Sequence, residues 1–161
     1  MMSESIALEQ FVRLVLTAHV ATTWAMVGVI LMVQVVHYPL FSSVGASSFT
    51  AYEVLHTQRI TWIVAPLMVT ELLTAIVLVY VSPASVSTSL LWIGLILLAV
   101  IWISTAFVQV PLHRELASGF DSLVHRKLLT TNWVRTIAWV TRGLVVAVVV
   151  YQYLNPSERT L

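Results

Sequence analysis

Residues Leu90–Val110 read LLWIGLILLAVIWISTAFVQV, a run without a single charged side chain. At about 1.5 Å of rise per residue, a helix of this length covers about 30 Å, the thickness of a bilayer's hydrocarbon core. Three further stretches have the same character: about Leu14–Val36, Ile60–Val81 and Trp133–Leu154. One such run could be a buried helix of a soluble protein. Four of them, in a chain 59% hydrophobic and 9% charged, leave too little polar sequence to cover them. The expected fold is all-α: a polytopic membrane protein whose residues 1–161 form one bundle of four transmembrane helices, with the lipid bilayer as its first partner.

The first ten residues carry Glu4 and Glu9 and lack the basic start of a secretory signal, so the first span is expected to stay in the mature protein. Cysteine is absent, which excludes disulfides, thiolate metal sites and cysteine nucleophiles and leaves His, Glu, Asp and Gln as ligands. The net charge of +1 gives no support to a nucleic-acid partner.

The connections are expected to be about 23, 8 and 22 residues long. Both long ones fall on one side, the near face; the turn around Pro83 and both termini fall on the far face. Near-face segments hold Arg59, Arg114, Arg126 and Lys127 against Arg13 and Arg159 on the far face. The positive-inside rule then makes the long loops cytoplasmic in a multi-pass protein of the cell's inner membrane.

The two halves also resemble each other. Val33-Gln34-Val35 precedes His37 and Pro39-Leu40, and Val108-Gln109-Val110 precedes Pro111-Leu112 and His113. Each is followed by a Phe, a His and a Trp: Phe49, His56 and Trp62, then Phe120, His125 and Trp133. Two pseudo-symmetric two-helix repeats, related by an axis along the membrane normal, would produce this pattern. Chance matches come easily in a valine-rich chain, and that explanation stays open beside duplication.

This topology gathers His37, His56, His113 and His125 at the near face. Glu53 stands three residues before His56, on the same helical side, the Glu-x-x-His spacing of carboxylate-bridged metal bundles. A single copper, iron or zinc ion, or a haem, held by these four histidines fits the inventory better than a di-iron centre. The plain alternative is that the imidazoles bond headgroups, water and loop carbonyls. Deeper in the bilayer, Glu71 falls about 22 Å below His56, Arg142 about 25 Å below His125 and His19 about 27 Å below His37. A charge at that depth needs a partner, so Glu71 and Arg142, joined by His19, are expected to meet as a relay, a substrate anchor or a clamp between helices. Between these levels, Gln34, Gln109, Asn132 and Arg135 would line a polar cavity, with Trp24, Trp102 and Trp139 as aromatic candidates and Pro66 as a kink.

The segments HYPLF (His37–Phe41), HTQRITW (His56–Trp62), STAFVQVPLH (Ser104–His113) and TNWVRT (Thr131–Thr136) resemble small four-span bacterial membrane proteins of unassigned activity. More loosely, the four-span build and Asn132-Trp133-x-Arg135 resemble the anthrone-oxygenase-like membrane proteins, a likeness that implies oxygenation of aromatic, polyketide-type substrates. The build is also similar to that of bacterial four-span haem-binding protoporphyrinogen oxidases, with His19 before Trp24 as the one echo. The functional expectation is a metal- or haem-dependent oxidoreductase or oxygenase acting on a lipophilic aromatic or quinone-like small molecule. In it, the four histidines bind copper, iron or haem or move protons, Glu53 assists, and Arg135 with Asn132 anchors the substrate. The alternative is a non-catalytic module: a proton or small-solute conductor that forms a homo-oligomer around its polar spans, or an accessory or structural subunit.

Overall fold

The computed structural model describes residues 2–156 and is 90% helical. Helix α1 (Met2–Met32) continues through a π-helical turn (Val33–His37) and a 3-10 turn (Pro39–Ser43); α2 is Ala46–Val81. Helix α3 (Thr88–Ser104) runs through a second π-helical turn (Thr105–Gln109) into α4 (Val110–Leu116), and α5 is Ser122–Leu154. Four helical stretches are thus long and apolar enough to cross a membrane: Ile6–Ser43, Ala46–Val81, Thr88–Leu116 and Ser122–Leu154. Arg159 lies outside the described residues.

The near-face segments are helix rather than long loops. The 36 residues of α2 extend for about 54 Å, well past the hydrocarbon thickness, and carry Glu53, His56 and Arg59 on the same rod as the apolar span. The irregular backbone there shrinks to Val44–Gly45 and the stretch Ala117–Asp121. Apolar length sets where a span meets lipid, but nothing in the polar sequence beyond it breaks the helix.

Each π-helical turn lies just ahead of a proline and on a Val-Gln motif. Tyr38 N–H reaches back five residues to the Val33 carbonyl at 2.9 Å, and Val110 N–H reaches Thr105 in the same way. Pro39 and Pro111 have no N–H to give and press on the preceding turn, which loosens the regular ladder there. Helix α2 passes through Pro66, which sits on its outer surface.

At the far end Ser82, in the left-handed region at φ 42°, closes α2. The turn is tied to α5 by Ser87 N–H, which donates to Gln152 Oε1 at 2.8 Å. Asp121 starts α5, its carboxylate accepting from Leu123 N–H at 2.7 Å and Val124 N–H at 3.0 Å. The bonds to Val124 and Leu123 lower the Asp121 pKa from its ordinary value. A lowered folded-state pKa means that this cap is in force above the ordinary carboxylate range and is lost as pH falls through the lowered value. Asp121→Ala is expected to deprotect the Leu123 and Val124 amides to hydrogen exchange at neutral pH; unchanged protection would remove the capping role.

In the bundle α1 packs on α2 and α5, and α3 packs on α5 and α2, so α1 and α3 sit on one diagonal and α2 and α5 on the other. Gly143 lets α5 approach α1 closely: a Cβ there would meet Val27 Cγ2 at 3.2 Å. Outside, the surface is apolar, with Tyr80 90%, Trp62 83% and Phe107 76% exposed. Inside are Glu53, Glu71, Asn132 and Arg142, each at 0% exposure. This inversion of the soluble pattern suits a surface that faces lipid and an interior that shelters polar groups.

Candidate functional site

The π-helical turn at the end of α1 and the 3-10 turn after it bring His37, Tyr38 and Phe41 under the near-face end of α2. There Glu53 and His56 share one side, α4 supplies His113, and the first turn of α5 supplies His125. His113 is held from both sides: Nδ1 lies 2.5 Å from Glu53 Oε1 and Nε2 lies 2.8 Å from the Tyr38 hydroxyl. A carboxylate only accepts, so Nδ1 carries the proton and Nε2 accepts from Tyr38 Oη–H. Arg135 stands beside the Tyr38 hydroxyl in turn. The result is a directed chain, Tyr38 to His113 to Glu53, with Arg135 next to its first member.

His37 and His56 form a second, half-buried pair, Nε2 to Nδ1 at 2.8 Å, with the His56 ring centroid 5.6 Å from that of His113. His125 stands apart. Its Nε2–H donates to the Tyr38 backbone carbonyl at 2.8 Å, and the Phe41 ring stacks against it at 6.1 Å, facing His56 and His113 on other sides. The four imidazoles therefore do not converge on one point. The nitrogens that would ligate are turned toward each other, Glu53, Tyr38 and a carbonyl. Among the described residues no group of three or more His, Asp or Glu is placed to hold a metal ion.

One turn deeper lies an amide and guanidinium layer. Asn132 Nδ2 donates to Gln34 Oε1 at 2.8 Å, Gln34 Nε2 to the Leu129 carbonyl at 3.2 Å, and Gln109 Nε2 to Thr131 Oγ1 at 3.2 Å. Arg135 Nη1 donates to Asn132 Oδ1 at 3.0 Å, and its guanidinium lies 5.2 Å over the Trp139 ring. Arg135 is 6% exposed and makes no ion pair with a carboxylate among the described residues. Four buried side-chain atoms among the described residues lack a hydrogen-bond partner: Glu53 Oε2, Arg135 Nε, Gln109 Oε1 and Trp102 Nε1. The first three belong to this near-face half, on three different helical segments. A buried polar atom without a partner costs about 1–3 kcal/mol, so each of these atoms calls for something to satisfy it.

The deepest group is complete by contrast. Glu71 Oε1 accepts from Arg142 Nε and Thr23 Oγ1, each at 2.9 Å, and Oε2 accepts from Trp139 Nε1 at 3.1 Å. Arg142 also donates through Nη1 to the Gly94 carbonyl and through Nη2 to His19 Nε2 at 3.3 Å. Thr74 Oγ1–H is directed to the Thr70 carbonyl at 2.7 Å, so the 2.8 Å contact with His19 uses the Nδ1–H of the imidazole. His19 is then neutral with a free lone pair at Nε2, as a guanidinium donor requires. The Glu71–Arg142 bond crosses the α2–α5 diagonal; side chains of α1, α2 and α5 join it, and α3 adds the Gly94 backbone carbonyl. No buried side-chain nitrogen or oxygen of this group lacks a partner, which is how a clamp is built.

The structure thus unites Glu53 with His113, Arg135 with Asn132, and Glu71 with Arg142 and His19, while it separates His125 from the other imidazoles. Tyr38, the link in the near-face chain, drew no notice in the sequence because tyrosine is common at membrane interfaces. Its place beside His37 was the available sign. Trp24, 46% exposed, faces outward, while Trp139 is wholly buried.

No family model, no curated protein and no solved structure matches this chain.

Proposed function

We propose that this protein is a membrane enzyme of the oxygenase or oxidoreductase class that acts by acid–base chemistry on a lipophilic, enolisable aromatic molecule. The observation that carries this reading is the pair of unsatisfied buried atoms Glu53 Oε2 and Arg135 Nε at the two ends of the Tyr38–His113 link, with Gln109 Oε1 a third in the same half of the bundle. A carboxylate oxygen without a donor is a base waiting for a proton. A buried guanidinium without a carboxylate suits an oxygen on which negative charge develops. Asn132 holds Arg135 in place, and the half-buried His37–His56 pair offers a path for the abstracted proton toward near-face water.

An anthrone fits both demands, and the loose resemblance to anthrone-oxygenase-like proteins points the same way. Removing a proton from its methylene leaves an electron-rich enolate whose oxygen Arg135 would receive; one O2 then converts anthrone to anthraquinone and water. This role for the site's own residues needs no metal ligand set. The conducting alternative is less well supported, because Arg135, a buried guanidinium with no carboxylate partner among the described residues, stands in the polar column and opposes passage of a proton.

The test is anthrone turnover by the full chain in lipid nanodiscs, followed by anthraquinone absorbance and oxygen uptake. Native protein is expected to outpace empty discs, and Arg135→Met to lose at least tenfold in kcat/KM. Turnover equal to that of empty discs, or unaffected by Arg135→Met, would sink the reading.

A further inference from the structure

At the end of the bundle away from the acid–base cluster, a groove of about 1540 Å³ opens between the first half of α1, the Ser82–Ser85 turn and the end of α5. Its volume exceeds the roughly 300–1,000 Å³ of ordinary small-molecule sites. Its wall is apolar, built from Val12, Leu16, Val20, Ala21, Val150 and Leu154. Its rim is polar. Glu9 and Arg13 pair there at 2.5 Å, 59% and 66% exposed, with Tyr153 beside the Arg13 guanidinium. From Arg13 down to Ala21 the wall descends about 12 Å, from the headgroup level into the hydrocarbon of the far leaflet.

A cleft at that depth is in contact with acyl chains, and water gains no hydrogen bonds from aliphatic walls. Hydrocarbon therefore fills it. The rim then decides which headgroup sits above. A cation and an anion one helical turn apart match a headgroup that carries both signs, with phosphate toward Arg13 and Tyr153 and ammonium toward Glu9. A purely anionic headgroup would meet the Glu9 carboxylate as a like charge. We infer that this groove is a binding site for one zwitterionic glycerophospholipid of the far leaflet, a phosphatidylethanolamine type, with an acyl chain along the α1–α5 cleft. The inference is independent of the proposed catalysis, since no residue of the acid–base cluster lines the groove.

The experiment is native mass spectrometry of the full chain after exchange into bilayers holding equal amounts of phosphatidylethanolamine and phosphatidylglycerol. Native protein is expected to carry one phosphatidylethanolamine, at least tenfold over phosphatidylglycerol. Glu9→Gln removes the carboxylate that pairs with Arg13 and is expected to turn the preference toward phosphatidylglycerol. Ala21→Trp fills the cleft and should remove the bound lipid; if that variant fails to fold, Ala84→Trp, on the opposite wall, serves the same purpose. No retained lipid, an unchanged headgroup ratio in Glu9→Gln, or full retention in the cleft-filling variant would each overturn the assignment. Glu53→Gln should keep the lipid, so a failure of the catalytic proposal is told apart from a failure of this one.

Discussion

Arg142→Met, with Glu71 left in place, is expected to destabilise the bundle by about 3–5 kcal/mol, because it strands a carboxylate in a site built for a cation. Both groups are at 0% exposure, so no water compensates the one that stays. The same substitution removes the contacts of Arg142 with the Gly94 carbonyl and His19, and so loosens α3 and α1 as well as α2. The double replacement Glu71→Gln with Arg142→Met carries no stranded charge and should recover a large part of the loss. Single interhelical hydrogen bonds in membrane proteins average about 0.6 kcal/mol, which sets the scale for the alternative. Reversible unfolding in bicelles measures both variants. A loss near 1 kcal/mol for Arg142→Met, with no gain in the double variant, would show that Glu71 takes up a proton and that the charges clamp nothing.

Glu53→Gln carries the second large effect, on reactivity rather than stability. Glutamine keeps the volume and an oxygen for the His113 Nδ1–H, so the Tyr38–His113 arm remains supported, but it removes the base. General-base catalysis contributes about 10²–10⁴-fold, and anthrone turnover is expected to fall by that factor while binding, read by Trp fluorescence quenching, changes little. Loss of binding together with turnover would assign Glu53 to holding the cluster together. Unchanged turnover would remove it from the chemistry altogether.

The fold was legible because lipid leaves a coarse mark on sequence: Leu90–Val110 or Ile60–Val81 has to be apolar over most of its circumference to sit in hydrocarbon, with polar groups such as Glu71 and Gln109 kept to the inner side. Helix ends were not legible, since Glu53 through Arg59 are as content in a helix as the residues after them, and only the change of solvent marks the boundary. Depth along a rod is also calculable, which is why counting 1.5 Å per residue already brings Glu71, Arg142 and His19 to one level. Direction around the rod near an irregular turn is not. The π and 3-10 turns between Val33 and Ser43 decide where His37, Tyr38 and Phe41 point, and sequence spacing carries no trace of that rotation. So the four imidazoles share a depth, yet Phe41 and the Tyr38 carbonyl keep His125 out of the group.

The crossing of Glu71 and Arg142 also bears on how the chain is made. Helix α5 is the least apolar of the four spans and carries Arg135 and Arg142 within its buried length, where an arginine opposes entry into the bilayer centre by about 2.5–3.5 kcal/mol. It leaves the ribosome after the other three spans, when α2 with Glu71 is already in place. The earlier helix is thus expected to act as a receptor for the later one at the translocon, and a nascent chain carrying Glu71→Leu should release α5 on the wrong side of the membrane.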